Sequence, residues 1–185
     1  MNAFSKEAQH SLEVCRGYTK LHGVEYCTFL KKDQELFSKA GEYAAVCFTR
    51  YEVESIKRAK PDLIVHSHPR DTSLSLCDLQ FAQHFNVIIA AITPKGDIYW
   101  ADGNNTGKAL AMEGYNLGKK LGDITNATEH SKIKDLVETN WYHMLWTIMR
   151  TDLGLDYGSK ICCDTAKEID VIKPVFDSYH NKCIY

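Results

Sequence analysis

The chain has 185 residues, of which 44% are hydrophobic and 25% are charged, and its formal net charge is −2. This profile predicts one globular domain with a full hydrophobic core. It argues against nucleic acid as a partner, because a phosphate backbone is bound by clustered Lys and Arg. It argues against a membrane partner too, because no segment approaches the ~20 apolar residues of a membrane span. Residues 1–7 lack the apolar core of a secretory signal, so a cytoplasmic location is predicted.

The seven cysteines are odd in number and irregularly spaced. Several lie inside apolar periodic segments, where reduced thiols pack as small hydrophobic groups, so free thiols are predicted rather than a disulfide framework. Near the C-terminus, the group Cys162, Cys163, His180 and Cys183 matches no reliable zinc-ligand spacing. A second, structural zinc there is the weaker alternative to packed or exposed thiols.

Hydrophobic periodicity predicts an α/β fold, with a mixed (α+β) sheet flanked by helices. In chain order, the predicted elements are a helix over 4–22, strands over 24–30 and 43–49, a strand from 62 that enters a histidine motif, a helix over 76–85, hairpin strands over 87–92 and 97–100, and helices over 103–120 and 132–150. Residues 31–35 are predicted to be a turn or loop and residues 50–60 to be irregular. Past residue 151, short helical or extended pieces are expected.

A histidine pair ends the third predicted strand. Successive side chains of a strand point to opposite faces, so His66 and His68 project to the same side while Ser67 faces away. Pro69 has no N–H to donate, so it ends the strand and turns the chain outward. Both imidazoles are therefore predicted to lie at the end of a strand.

A carboxylate follows at the start of the next predicted helix. Ser75 occupies the N-cap position and Asp78 lies three residues on, close to a capping-box arrangement. His66, His68 and Asp78 meet the ligand count of a hydrolytic zinc site, which keeps its fourth position for water. Two imidazoles and one carboxylate suit zinc better than calcium or magnesium, with iron and manganese left open. The predicted cofactor is one catalytic Zn²⁺.

The run His66-Ser67-His68-Pro69, followed by Ser75-x-x-Asp78, resembles the zinc motif of the JAMM (MPN-plus) metalloproteases of the Mov34/JAB superfamily. That family's pattern is an upstream Glu, then His-Ser/Thr-His-Pro, then Ser-x-x-Asp. The resemblance covers roughly residues 5–120. It implies a single JAMM/MPN-like domain over 1–185 with a cytidine-deaminase-like three-layer architecture, in which residues 121–185 form a helical C-terminal extension packed on the core.

The resemblance also implies an activity, the zinc-dependent hydrolysis of a peptide or isopeptide bond by a deubiquitinase-like metalloprotease. The implied partner is a substrate that carries a ubiquitin-like or other small carrier protein, cut after the C-terminus of that protein. The family roles, carried over by position, make His66, His68 and Asp78 the zinc ligands, Ser75 the residue that stabilises the oxyanion and Glu25 the general base. The fallback candidates for the base are Glu35, Glu42, Glu52 and Glu54.

The spacing departs from that of the family at one place. The family usually has seven residues between the second His and the Ser, whereas six, residues 69–74, separate His68 from Ser75. Loop length is cheap to change and the Ser-to-Asp spacing on the helix is kept, so we expect an intact zinc geometry. Ser73 is the alternative to Ser75 if the loop pairs differently.

Two other functions compete with the peptidase. A scaffold or binding module of the same superfamily would have the fold without turnover, but such members usually lack the ligands that this chain retains. A member like the bacterial RadC group, linked by name to DNA repair, is disfavoured by the acidic balance. Two further side chains carry alternatives of their own: His84 lies on a helix surface or orients a ligand, and Trp146 packs in the core or contacts a partner.

Overall fold

The computed structural model describes residues 4–43, 45–105 and 131–183. Within these ranges the chain forms a mixed α/β fold, in which five α-helices flank a six-stranded mixed sheet, as the periodicity predicts. No helix in the described ranges has both the length and the apolarity needed to cross a membrane. The strands are β1 (Tyr26–Lys31), β2 (Gln34–Ala40), β3 (Leu63–Ser67), β4 (Ile88–Ile92), β5 (Ile98–Asp102) and β6 (Tyr157–Lys160). The helices are α1 (Lys6–His22), α2 (Arg50–Ala59), α3 (Leu76–Phe85), α4 (Ser131–Leu153) and α5 (Cys163–Cys183), and a short 3-10 helix spans Gly103–Asn105.

The strands lie in the order β2-β1-β3-β4-β5-β6. β3 and β4 are parallel, and the other neighbours are antiparallel. A parallel pair needs a crossover connection, and α3 lies within the one that joins β3 to β4. The chain therefore passes directly from the histidines at the end of β3 into the first turn of α3.

The two faces of the sheet carry separate hydrophobic layers. α1 covers one face, where its Leu12 and Cys15 are fully buried in a cluster with Val65 of β3. The alternate residue Ile64 belongs to the larger core on the opposite face, which also contains buried residues of the other four helices. The sheet is thus enclosed by helices on both sides, and any side chain of β3 belongs to one layer or the other.

Ser67 lies on the α1 face, as predicted from strand alternation. Its hydroxyl contacts that of Thr19 in α1 and accepts a hydrogen bond from the Tyr26 N–H at 3.1 Å. Because this hydroxyl joins α1, β1 and β3, it fixes the rotation of the strand that carries the histidines. The imidazoles on either side of Ser67 must therefore point to the opposite face.

Several predicted elements are confirmed. The first helix ends before Gly23, whose φ of 69° is the left-handed conformation typical of a helix C-cap. The helix over 76–85 is α3, with Ser75 as its N-cap and a complete capping box. The hairpin is β4 and β5, the strand over 24–30 corresponds to β1, and the helix over 132–150 lies within α4. Of the helix predicted over 103–120, residues 103–105 form the 3-10 helix and the rest lies outside the described residues.

The strand predicted over 43–49 is wrong. Residues 34–40 form β2 instead, in a segment whose start was predicted to be a loop, and 45–49 contain no strand. β2 pairs with β1 through a two-residue turn at Lys32 and Asp33, whose φ values of 49° and 66° are those of a tight hairpin turn. Because β2 is an edge strand, its polar residues remain in water and hide the alternation that marks a buried strand.

The irregular structure predicted over 50–60 is also wrong, since these residues form α2. Thr49 Oγ1 accepts a hydrogen bond from the Glu52 N–H, and the Glu52 side chain accepts one from the Thr49 N–H at 2.7 Å. This reciprocal pair is a capping box, and its Thr-x-x-Glu signature is visible in the sequence. Ile56 anchors the helix in the core.

The C-terminal part is more regular than the short pieces that the sequence predicts. β6 pairs with β5 and extends the sheet, and α5 runs over 21 residues. Trp146, for which a partner contact was one alternative, is fully buried in the core. Its indole Nε1 donates a hydrogen bond to the Leu74 carbonyl at 2.7 Å. Helix α4 therefore holds the loop that leads into α3.

Trp146→Phe tests this anchor. The variant keeps a large aromatic ring but leaves the buried Leu74 carbonyl without its indole donor, so the free energy of unfolding should fall by about 1–3 kcal/mol. Urea denaturation followed by circular dichroism measures the change. Trp141→Phe is the matched control on the same helix, because Trp141 is only partly buried, and an equal loss in both variants would contradict the anchoring role.

Candidate metal centre

Three donor atoms converge where β3 ends and α3 begins. His66 Nε2 lies 2.9 Å from His68 Nε2 and 3.3 Å from Asp78 Oδ1, and His68 Nε2 lies 3.5 Å from Asp78 Oδ2. Ligands held tetrahedrally at about 2.0–2.1 Å from zinc are separated from one another by about 3.3 Å. The structure therefore places the three predicted ligands at a spacing that fits a metal ion, and the group is the one cluster of this kind found among the described residues.

The charges of this cluster also require a positive partner. The His68 Nδ1–H donates to the Thr72 carbonyl at 2.9 Å, which fixes the ring with Nε2 facing His66 and Asp78. Two imidazole nitrogens and a carboxylate at these distances repel one another unless a proton or a cation lies between them. The buried Nδ1 of His66 has no hydrogen-bond partner in the described structure, so it does not fix the tautomer of that ring.

Electrostatics keep the Asp78 carboxylate ionised. Burial by itself raises the pKa of this carboxyl, but the imidazoles of His66 and His68 outweigh burial and hold the pKa well below its usual range. Burial likewise lowers the pKa of His68, but the hydrogen bond and the charge of Asp78 outweigh it and raise the pKa overall. Near neutral pH the site therefore contains a charged carboxylate, the form that binds a divalent cation.

Ser75 orients this carboxylate through the capping box of α3. The Ser75 hydroxyl and the Ser75 N–H both donate to Asp78 Oδ2 at 2.7 Å, and the Asp78 N–H donates back to Ser75 Oγ at 3.2 Å. Ser75 also lines the same cavity as the three ligands. Ser73, the alternative, is 2% exposed and its hydroxyl lies 3.2 Å from that of Tyr157. Both serines line the cavity, but the six-residue loop brings the Ser75 hydroxyl to Asp78, whereas the Ser73 hydroxyl bonds to that of Tyr157.

Glu25 lies on the same face of the sheet as the histidines. It is two residues before Cys27, which pairs with His66 in the antiparallel β1–β3 ladder, and both line the same cavity. Its backbone is fixed on both sides, because the Glu25 N–H donates to the Glu42 carbonyl at 2.9 Å and the Gly41 N–H donates to the Glu25 carbonyl at 2.8 Å. Burial raises the pKa of the Glu25 carboxyl, and the positive charge of the imidazoles offsets this only in part.

The four fallback candidates for the general base do not line this cavity. Glu52 caps α2 and forms an ion pair with Lys39 at 2.8 Å. Glu54 is exposed and lies 3.6 Å from Lys57, and Glu35 accepts a hydrogen bond from Ser38. None of them lines the cavity of the metal cluster, and neither does Glu42.

The loop between the ligands is anchored by the C-terminal part. The Tyr157 hydroxyl lies between Ser73 and His143, at 3.2 and 2.8 Å respectively. Burial lowers the pKa of His143 to about 4, so the ring is neutral near pH 7 and its Nδ1 shares a hydrogen bond with the Tyr157 hydroxyl. Together with the hydrogen bond from the Trp146 indole to the Leu74 carbonyl, these hydrogen bonds hold residues 73–74 of the loop between His68 and Asp78.

Among the cavity side chains that sequence reasoning missed are two from α4 and two from loops. Glu138 and Tyr142 reach the cavity from α4, and Tyr43 and Arg70 bound it from two loops, with the Arg70 Nε–H donating to the Tyr43 hydroxyl at 2.9 Å. The four-residue spacing of Glu138 and Tyr142 places them on one helix face, but nothing in the sequence assigns that face to the histidine motif. Burial raises the pKa of Tyr142, and the nearby thiol of Cys77 and carboxylate of Asp78 raise it further.

The other predicted site residues remain apart. His84 is exposed in the last turn of α3, so it is a helix-surface residue. Cys163 is exposed and Cys162 Sγ lies 3.3 Å from Thr165 Oγ1. The side chains at 180 and 183 lie outside the described residues, so a second metal at this group stays a prediction of the sequence alone. In comparisons with known proteins, no family model matches the chain and no curated protein matches its sequence.

Loss of a ligand should remove the metal without unfolding the protein. Loss of a group that only hydrogen-bonds a metal ligand costs about 10–100-fold in affinity. We expect His68→Ala and Asp78→Asn, which change the ligands themselves, to weaken zinc binding by more than this. Elemental analysis and competition with a chromogenic chelator measure the affinity. His84→Ala is the matched control, since it removes an exposed histidine from the same helix as Asp78. Equal zinc affinity in all three variants would refute the metal centre.

The buried His143 predicts a pH dependence of stability. Its pKa is about 4 in the folded chain and about 6.5 when unfolded, so between these values the unfolded state binds more protons and stability falls as pH falls. The loss should total about 3 kcal/mol between pH 7 and pH 4. We expect His143→Gln, which keeps a hydrogen-bond partner for Tyr157, to flatten this part of the profile in urea denaturations at pH 7, 6 and 5. A parallel profile in the variant would contradict the assignment.

Proposed function

We propose that the protein is a zinc-dependent peptidase or isopeptidase of the JAMM (MPN-plus) type. The observation that carries the proposal is the convergence of His66, His68 and Asp78 within 4.8 Å of one another, on the face of the sheet that also bears Glu25. If His66, His68 and Asp78 only stabilised the fold as an ion pair, they would need neither the open cavity nor Glu25, a second carboxylate whose pKa is raised. The helices on both sides of the sheet support the proposed JAMM/MPN three-layer architecture, and α4 and α5 contribute buried residues to the core.

The proposed reaction divides its tasks among these residues. A zinc ion bound by the two imidazoles and Asp78 supplies a Lewis acid that polarises a carbonyl group and acidifies water. Glu25, whose pKa is raised by burial, takes a proton from the attacking water and delivers it to the departing amine. The Ser75 N–H holds Asp78 in position, while the Ser75 hydroxyl, which donates to Asp78 Oδ2 at rest, turns to donate to the developing oxyanion. The apolar side chains of the cavity wall lower the local dielectric and so strengthen each of these electrostatic effects.

The proposed partner is a conjugate or precursor that carries a ubiquitin-like or other small carrier protein, cut after the C-terminus of that protein. A lysine side-chain amine and a backbone amine are equally suitable leaving groups for such a site. We place the reaction in the cytoplasm, in keeping with the buried free thiols of Cys15 and Cys27, both of which have their pKa raised by burial to about 12.

Glu25→Gln is the test of the proposed base. The variant should bind zinc as the wild-type protein does, because Glu25 is not among the converging donors, and should lose at least about 100-fold in kcat, the lower range for general acid–base catalysis. Activity is measured on a panel of peptide and ubiquitin-like fusion substrates, with and without a chelator.

Glu54→Gln is the matched control for that test. It makes the same chemical change on an exposed helix surface and should keep full activity. Unchanged turnover in Glu25→Gln would assign the base to another residue, with the cavity residue Glu138 as the next to test.

The second candidate, a scaffold or binding module without turnover, is favoured by the capping role of Ser75. Ser75 caps α3, so a protein with no catalytic activity would still need this serine for folding. Unit zinc stoichiometry without cleavage of any substrate in the panel would support the scaffold over the peptidase.

A further inference from the structure

A cavity of about 490 Å³ opens beside the three metal ligands. This volume is in the range of small-molecule and side-chain binding sites, about 300–1,000 Å³. Polar groups of the wall include those of Glu25, the three ligands and Ser75, with Arg70 and Glu138 contributing further charges, while apolar side chains of the sheet, of α3 and of residues 45–48 form the apolar part. The mechanism proposed above uses only the polar part.

The pairing of β1 and β3 orders the cavity wall from polar to apolar. Cys27 pairs with His66, and two residues further along β1, Phe29 pairs with Ile64 on the same face. All four line the cavity. Two residues of a strand span about 7 Å, so the apolar end begins within the reach of one side chain from the metal ligands.

An aromatic wall closes the apolar end. The Phe48 ring stacks against that of Phe81, with centroids 5.6 Å apart and planes at 26°, and meets Phe29 edge-on at 5.6 Å. Phe29 is 1% exposed, whereas Phe48 and Phe81 are only partly buried. Aromatic surface is therefore available inside the cavity, and covering it with an apolar group would be favourable.

We propose that this cavity binds a large apolar side chain, aliphatic or aromatic, of a residue next to the scissile bond. The inference rests on the proposed function, because it takes the metal ligands to mark the position of that bond. It narrows the substrate class to conjugates or precursors with a bulky apolar residue at the cleavage point. A glycine-only tail leaves the aromatic wall uncovered and gains nothing from it.

Matched peptides test the substrate class. One pair carries Gly or Phe as the residue that supplies the scissile carbonyl, and a second pair carries Gly or Phe as the residue that supplies the leaving amine. We expect kcat/KM to be at least about tenfold higher for Phe than for Gly in one of the two pairs, the gain from burying a side chain of this size. Equal or better cleavage of Gly in both pairs overturns the inference and leaves the proposed peptidase standing.

Substitutions in the cavity wall test whether the cavity causes the preference for Phe over Gly. Val46→Phe fills the apolar end and Phe48→Ala removes part of the aromatic wall, and each should lower the Phe-to-Gly ratio of kcat/KM toward one. Tyr51→Ala is the matched control, because Tyr51 is 76% exposed and lies outside this cavity, and it should keep the ratio. Thermal unfolding and zinc content of each variant show that the fold and the metal centre are intact. A ratio that stays unchanged in both wall variants contradicts the assignment.

A binding measurement separates this inference from the proposed function. N-acetyl-phenylalanine amide should shift the NMR signals of Phe29, Phe48 and Phe81 in the zinc-free protein, and N-acetyl-glycine amide at the same concentration should not. These shifts without chelator-sensitive cleavage of any peptide would support the cavity and refute the peptidase. Identical responses to the two amides would refute the cavity, whatever the activity.

Discussion

The hydrogen bonds at the start of α3 combine a helix cap and a candidate metal ligand in one unit. Asp78 Oδ2 accepts from both the N–H and the hydroxyl of Ser75, so the carboxylate that stabilises the helix terminus is held facing the two imidazoles. A carboxylate in the first turn of a helix is also favoured by the helix dipole. The position of the Asp78 carboxylate therefore follows from the way α3 begins, and a displacement of α3 would separate this carboxylate from the two imidazoles.

The opposite side of the site depends on the pairing of β1 with β3. This register places Cys27 beside His66, so Glu25 and the histidines share one face while Ser67 contacts α1 on the other. A slip of one residue would exchange the two faces and turn the imidazoles into the layer that packs on α1. The same register that stabilises the core thus also selects which side chains enter the cavity.

The parts of the fold and site that the sequence predicts well are those determined by local rules. Strand alternation places both histidines on one face, and the Ser75-x-x-Asp78 pattern predicts the cap of α3. The Thr49-x-x-Glu52 pattern obeys the same rule for α2, but the charged residues around it carry no clear apolar period. β2 was not predicted because an edge strand exposes polar side chains, so its sequence lacks the apolar alternation of a buried strand.

The features beyond sequence reasoning depend on contacts between distant segments. Glu138 and Tyr142 reach the cavity because α4 packs across it, and the aromatic wall unites residues of β1, α3 and the segment before α2. The bond between Trp146 and Leu74 spans 72 residues, and that between Tyr157 and Ser73 spans 84. During synthesis, the segment from Glu25 to Asp78 emerges from the ribosome long before either of these partners. A nascent chain therefore contains its histidine strand before the groups that hold the adjoining loop, and the cleft can reach its final shape only after Trp146 and Tyr157 have been synthesised.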